Sequence, residues 1–311
     1  MISYSDILIL IVTHNGSKTI QKTLQSVCSN FQDKTTSVLV IDNASLDNTV
    51  SKILSLYPRH IEVKKMNKNI GIARAYNIGL QRATQLGAKW LFILDQDSVC
   101  NSNCLSFLIN STIYLIKKGE KVGAISALAR NQQFPEKILY PYDWTGTKLK
   151  TVSDPNISRS NFLFPIGSAI SSGTLYSVEA LTSINGFRDQ YFIDFVDHEC
   201  HIRLLNENWS LWWETRAIFY HRLGKIQKMM KNNHLWIEHA PFRYYYITRN
   251  MIDCLWRMGG GVALIHFVSE LITHICLVRQ NSTKFYEIMF YIVKGIKDAI
   301  LQRFGSLDST N

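Results

Sequence analysis

Short apolar runs alternate with amphipathic stretches through the first hundred residues. Ile7–Thr13 is a continuous apolar run ending in a hydroxyl, the pattern of a strand buried on both faces. His14-Asn15-Gly16-Ser17 reads as a turn and cap, and 18–29 has helical spacing through Ile20, Leu24 and Val27. The unit then recurs as strand 37–41, turn Asp42-Asn43, helix 45–56, strand 61–65, helix 72–86 and strand 90–94. This alternation predicts an α/β fold, a mostly parallel sheet with helices on both faces. Ligands of such sheets bind beyond the carboxyl ends of the strands. Thr13 to Asn15, Asp42-Asn43 and Asp95 to Asp97 all fall at such ends.

Further on, helical spacing covers 107–118, 178–184 and a segment carrying 197–207, with strand patterns at 123–129, 166–176 and 211–219 and a polar, loop-rich stretch at 131–161. Mixed strands after a nucleotide-binding half suit an acceptor-binding half on the same sheet. From Trp236 onward the pattern is all-helical. Phe285, Ile288, Met289, Ile292, Ile296 and Ile300 form one stripe opposite Glu287, Lys294 and Asp298. The apolar stretch 258–278 is long enough to span a bilayer, but Glu270, His266, His274 and three consecutive glycines favour an interfacial or packed helix. The expected organisation is a domain over 1–235 (nucleotide-binding half 1–98, acceptor-binding half 99–235) followed by a basic amphipathic helical tail, 236–311.

Composition narrows the partners. Hydrophobic residues at 46% and charged residues at 19% exclude wholesale disorder, and a net charge of +10 favours anionic partners. From Arg222 onward there are 12 Lys or Arg against 6 Asp or Glu, so more than half of the excess accompanies the amphipathic tail. That placement points to an anionic membrane surface, and nucleic acid is not an expected partner. The six cysteines lack a second Cys or His pair at zinc-ligand spacing and read as free thiols of a reducing cytoplasm. The N-terminal apolar stretch is strand-length with no basic residue before it, so a signal peptide is not expected.

The carboxylates carry the chemistry. Asp95 and Asp97 flank Gln96 just past a buried strand and point toward one cleft, where a divalent cation bridging carboxylate and diphosphate would resolve their charge. The plain alternative is a solvated turn, and only the preceding strand-turn units lift the pair above it. Asp42 can accept from the imide N–H of uracil or thymine, or cap the helix that follows. Asn69-Ile70-Gly71 and Arg74 open a helix whose amides, dipole and guanidinium suit a phosphate, unless this is an ordinary capped surface helix. In 192–199, Asp194 and Asp197 fall on one face of a helix with His201 a turn further, and either suits a general base; Glu199 reads more simply as an ion-pair partner. His221, at a strand end, is a natural third metal ligand.

Taken together, ILIVTHN (9–15), VLVIDNASLDNT (38–49), NKNIGIARAYNIG (67–79), LFILDQDS (91–98), FIDFVDHECHIR (192–203), HRLG (221–224) and RYYYITRN (243–250) resemble the inverting glycosyltransferase family 2 enzymes of the GT-A fold. Within them the chain is similar to bacterial rhamnosyltransferases of polysaccharide assembly. The resemblance implies nucleotide-sugar contacts from Thr13, Asn15, Asp42, Asn69, Arg74 and Asp95, with His14, Asn43, Gly71 and Gln96 in the same stretches. It implies Mg2+ or Mn2+ held by Asp97, His221 and Asp95, and Asp197 as base with Asp194 its competitor. His14 departs from the pattern, since many relatives place an aromatic residue there.

Arg243, Tyr245 and Arg249 are expected to bind the acceptor, because arginine grips phosphate and tyrosine stacks on sugars; the alternative is that the tyrosines pack the tail on the core. The expected reaction transfers L-rhamnose from dTDP-β-L-rhamnose to a lipid-diphosphate-linked saccharide at the inner face of the plasma membrane. The protein would be peripheral there, with the tail helices available for a homodimer. The alternatives are a UDP-sugar donor (galactofuranose or glucose) and, from another class, a nucleotidyltransferase. The latter needs a Gly-rich basic loop after the first strand, which 14–20 does not offer.

Overall fold

The computed structural model describes residues 2–28, 36–57, 61–152, 161–222, 224, 226–229 and 235–307. Helix spacing expected at Ser29 and the Leu223 position of the HRLG block lie outside the described residues. The first half runs β1 (Ile7–Thr13), α1 (Ile20–Cys28), β2 (Ser37–Asp42), α2 (Thr49–Leu56), β3 (Ile61–Lys65), α3 (Ile72–Gln85) and β4 (Trp90–Asp95). All seven residues of β1 are buried, as a central parallel strand requires. Next come β5 (Val99–Cys100), α4 (Cys104–Lys117), β6 (Val122–Asn131) and three short strands, β7 (Ile138–Leu139), β8 (Tyr142–Trp144) and β9 (Leu149–Thr151). The sheet is completed by β10 (Leu163–Pro165) and β11 (Thr174–Ser177), then α5 (Val178–Ser183), α6 (Val196–Asn206) and β12 (Ser210–His221).

One large sheet has the order β10-β12-β6-β11-β4-β1-β2-β3, with β5 on β12 and β7 on β6. The β4-β1-β2-β3 part is parallel throughout, whereas β11 is antiparallel to both β4 and β6. The fold is therefore the expected GT-A arrangement: a parallel part and a mixed part sharing one sheet. The ends of β1, β2 and β4 and the far end of β12 open on the same cleft.

Two expectations change. The strand expected over 166–176 is regular only from Thr174. Gly173, at φ +76°, has the Phe219 ring where a Cβ would stand, and Ser168, Ser171 and Ser172 turn their hydroxyls to side chains. The chain from Trp236 is not all-helical: β13 (Ile226–Met229) pairs with β14 (Leu235–Glu238), so a boundary at 235/236 would cut a hairpin.

The apolar stretch 258–278 lies within α7 (Pro241–Asn281), a helix long and apolar enough to cross a membrane. It is broken at Gly260, where φ 63° and ψ −153° admit only glycine. A straight helix would set Tyr244 and His274 about 45 Å apart; their rings are 5.6 Å apart. The arm 261–281 thus folds back on the arm 241–259, and α8 (Phe285–Ile300) packs alongside through Ile288 and Ile292.

Candidate active site and metal centre

β4 ends at Asp95 and β12 at His221, and the two strands deliver Asp95, Asp97 and His221 to one point. One ligand atom from each lies within 4.8 Å of the others, the one such group of His, Cys, Asp and Glu among the described residues. His221 Nδ1 is 3.3 Å from Asp97 Oδ1, and its Nε2 is 3.8 Å from Asp95 Oδ2. Ser98 Oγ is 3.0 Å from the same Nδ1 and pairs with Ser172 Oγ, which accepts the Asp95 amide at 3.0 Å. This shelf of serines orients the imidazole behind the two carboxylates.

The electrostatics fit a cation. Burial pushes the Asp95 carboxyl up to about 6; His221 offsets part of this, while the negative charges of Asp97 and Asp197 add to it. Burial works against a charged His221, but its hydrogen bond to Asp97 and the attraction of both carboxylates raise its pKa nonetheless. Two oxygens and one nitrogen are a donor set that suits Mg2+ or Mn2+. The site can hold a metal ion.

Asp197 and Arg243 lie close enough to Asp95 for their charges to act on it. Asp197 sits in the first turn of α6 with 21% of its side chain exposed. Its neighbour His198 was not singled out in the sequence. The ring lies between Phe195 and Tyr142 with Nδ1 2.7 Å from Ser168 Oγ, an environment assembled from distant segments that no local motif announces.

Asp194 is not on the helix face shared by Asp197 and His201. It precedes α6 with φ 63°, and Arg243 grips its carboxylate through Nε (3.1 Å) and a second guanidinium nitrogen. His201 points into the core, where it meets Tyr176 and Ser168. Glu199 is fully buried in a bidentate pair with Arg203, the structural role the simpler reading gave it.

On the nucleotide side, most of the expected side chains are tied to the protein itself. Thr13 Oγ1 and the His14 amide both donate to Gln96 Oε1. The exposed His14 ring reaches the Asn43 carbonyl at 2.9 Å. Asn15, at φ 52°, accepts from the Leu46 amide, Asn43 from the Ile70 amide and Asn69 from the Gly71 amide. These contacts tie the loops after β1, β2, β3 and β4 to one another. Asp42 differs: it is fully buried, its Oδ2 takes the Ser45 amide at 3.2 Å, and its Oδ1 has no partner. Gly71, at φ +81°, lets α3 start against the Phe192 carbonyl, where a Cβ would clash. Arg74 is 60% exposed and stands 3.7 Å from Asp189.

The expected acceptor trio divides. Arg243 faces the cleft, but Tyr245 and Arg249 are 0% exposed. Tyr245 donates to Asp298 of α8, and Arg249 donates to the carbonyls of Tyr191 and Gly305. Neither can touch an acceptor, because the fold-back of α7 and α8 encloses that face.

The sequence model of glycosyl transferase family 2 matches residues 8–169, just over half of the chain. The dTDP-rhamnosyl transferase RfbF of Shigella flexneri is 25% identical over 79% of this chain and 78% of its own. The galactofuranosyltransferase GlfT1 of Mycolicibacterium smegmatis is 21% identical over 69% and 70%. Among solved structures, S. aureus TarS 1–349 with UDP-GlcNAc superposes with a TM-score of 0.57 at 15% identity, covering 96% of this chain and 81% of that one. GalNAc-T7 with UDP, GalNAc and Mn2+ gives 0.60 at 15% identity over 80% of this chain, which spans about half of that protein's length (47%).

Proposed function

Because the chain belongs to glycosyl transferase family 2, we propose that it is an inverting, metal-dependent rhamnosyltransferase. In this reading it takes L-rhamnose from dTDP-β-L-rhamnose to a saccharide on a lipid diphosphate. That it is a glycosyltransferase follows from the family. The observation that carries the rest is the convergence of Asp95, Asp97 and His221 with Asp197 and Arg243 in one cleft. Rhamnose as the sugar is supported by the similarity to the Shigella dTDP-rhamnosyl transferase.

Each residue then has a task. Asp42 Oδ1 accepts the imide N–H of the thymine ring, a partner its burial calls for. The loops latched by Thr13, Asn15, Asn43, Asn69 and Gln96 hold the donor pocket's shape. Asp95, Asp97 and His221 would hold Mg2+ or Mn2+, which would supply positive charge to the departing diphosphate. Asp197 receives the proton of the acceptor hydroxyl as that oxygen attacks the anomeric carbon from the face opposite the diphosphate, giving an α-linkage. Arg243 places a cation where an acceptor phosphate or the donor diphosphate enters. Exposed apolar side chains on the second arm of α7 and on α8 support work at the inner face of the plasma membrane, where a lipid-linked acceptor resides.

Incubation with dTDP-rhamnose, Mg2+ and a lipid-diphosphate saccharide should add one deoxyhexose by mass. Turnover with UDP-sugars and none with dTDP-rhamnose would overturn the donor assignment. UDP-galactofuranose is the second donor to include, given the mycobacterial relative.

A further inference from the structure

Residues 191–195 lead into the helix that presents Asp197, and their backbone is unusual. Phe192, Asp194 and Phe195 all have left-handed φ values (65°, 63° and 62°), and none is glycine. Such residues leave the left-handed region unless the surroundings hold them there. Phe195 is the N-cap of α6, and Asp197 follows two residues later. Whatever fixes these three dihedrals fixes where the carboxylate points.

The holding contacts come from one face of the first arm of α7. Asn250, fully buried, reaches three carbonyl groups of this segment with its side-chain nitrogen: Tyr191 at 3.0 Å, Ile193 at 2.9 Å and Asp194 at 2.8 Å. Arg249 donates to the Tyr191 carbonyl at 3.1 Å, Arg243 grips the Asp194 carboxylate, and Tyr246 stacks on Phe192 with centroids 5.4 Å apart. Positions 243, 246 and 250 share a helix face at i, i+3 and i+7 spacing. From the other side, the Ile72 amide at the start of α3 donates to the Phe192 carbonyl.

We propose that Asn250, with Arg249 beside it, is a positioning clamp that holds 191–195 in its left-handed path and thereby aims Asp197 at the acceptor hydroxyl. The RYYYITRN stretch is then an internal brace for the catalytic segment, with Arg243 alone reaching the cleft. The inference rests on Asp197 being the base. It assigns no substrate contact to Asn250, which acts only through the backbone it holds. The inward-turned Ile193 and Asp194 carbonyl groups need a donor at their focus, and the Asn250 amide is that donor, while the Tyr191 carbonyl is shared with Arg249.

Asn250→Asp tests this, because it keeps the shape and replaces the donor with an oxygen facing three carbonyl oxygens; Arg249→Lys is the milder companion. In a folded Asn250→Asp protein, kcat for transfer should fall about 100-fold. The donor KM and Mn2+ affinity should stay within about twofold, since both sites lie on other elements, and hydrogen exchange at the Ile193 and Glu199 amides should accelerate. Either of two results overturns the clamp: kcat within about threefold of wild type, or donor KM and metal affinity worsening in step with kcat. If Asn250→Asp does not fold, exchange in the wild-type protein decides, because amides at 193–199 that exchange like an open loop are incompatible with a clamp. Full transfer by Asp197→Asn would remove the base assignment and leave the exchange result standing, so the two failures are distinguishable.

Discussion

His221 Nδ1 lies 3.3 Å from a carboxylate oxygen of Asp97, while Nε2 on the same ring faces Asp95 at 3.8 Å. One imidazole thus bridges two carboxylates that would otherwise repel across the mouth of β4. The three side chains could hold a cation, which would supply the positive charge that the two carboxylates call for. Asp97→Asn and His221→Ala should each weaken Mn2+ binding more than tenfold and lower kcat by at least about 100-fold. Titration calorimetry with Mn2+ reads the first effect directly. Chelation should abolish transfer and added Mn2+ restore it; full activity after exhaustive chelation would sink the metal assignment.

Asp194 and Asp197 should separate cleanly. Asp197→Asn is expected to reduce kcat by about 10²- to 10⁴-fold with the donor KM unchanged, as loss of a general base does. Asp194→Asn acts on structure first: it leaves the Arg243 guanidinium without its carboxylate in a half-buried setting, at a cost of about 1–3 kcal/mol. The check pairs steady-state kinetics with denaturant midpoints. Near-normal transfer by Asp197→Asn together with abolished transfer by a stable Asp194→Asn protein would exchange the roles.

The unpartnered Oδ1 of Asp42 should be worth a charge-assisted hydrogen bond to the base of the donor. Asp42→Ala is expected to weaken dTDP and UDP binding by roughly 10- to 100-fold, from about 1.5–3 kcal/mol for such a bond. The Mn2+ affinity should not follow. Calorimetry with free dTDP tests this, and unchanged affinity in a folded variant would place the base elsewhere.

The nucleotide half was readable because its physics is local. A buried parallel strand is a continuous apolar run, and its ligand-bearing turn follows at once, so Thr13, Asp42 and Asp95 could be placed from pattern alone. His221 joined Asp97 as the resemblance implied, though nothing in the local sequence fixes that meeting; β12 must first run beside β6. The second half was harder to read because its key contacts are long-range. Asp194 looked like a helix residue until Arg243 was seen to hold it outside one. The burial of Tyr245 and Arg249 depends on α7 reversing at Gly260, and three glycines in an apolar stretch do not say which way the chain turns. The surroundings of His198 combine Tyr142 and Ser168, which share no motif with it.

His201 gives the protein an acid-sensitive core. Its Nδ1 accepts the Ala169 amide and its Nε2 meets the Tyr176 hydroxyl at 2.9 Å, so the ring is neutral. Burial drives its pKa down to about 4. Between pH 6.5 and about 4 the unfolded chain takes up a proton that the native ring refuses. Stability from this residue is therefore complete above pH 6.5 and falls by up to about 3 kcal/mol as pH drops toward 4. Urea midpoints at pH 7 and pH 4.5 should differ more in wild type than in His201→Gln. His239, also lowered to about 4 by burial, contributes in the same direction and leaves a residual slope in the variant. Identical slopes for the two proteins would remove His201 from the account.

The folded-back tail presents apolar side chains that the described residues leave exposed. Ile265 on the second arm of α7 is 71% exposed and Phe290 on α8 is 63% exposed. Val262, Val268 and Ile272 extend the first row, and Tyr286, Val293 and Ile300 the second. Exposed Arg279, Lys284, Lys297 and Arg303 accompany them, against exposed Glu270 and Glu287. Apolar side chains with a basic excess match an anionic bilayer surface, and two such faces brought together as a homodimer would set like charges side by side. The protein should therefore float with vesicles containing phosphatidylglycerol at low salt and be released at high salt, with neutral vesicles binding less. Ile265→Ser combined with Phe290→Ser should weaken flotation at least tenfold while leaving kcat on a detergent-free, water-soluble acceptor unchanged, because both side chains are exposed and neither the second arm of α7 nor α8 supplies a residue to the proposed site. If the protein ignores anionic vesicles and the same double substitution instead converts a dimer to a monomer in sedimentation, the face is a self-association surface and the membrane assignment is lost.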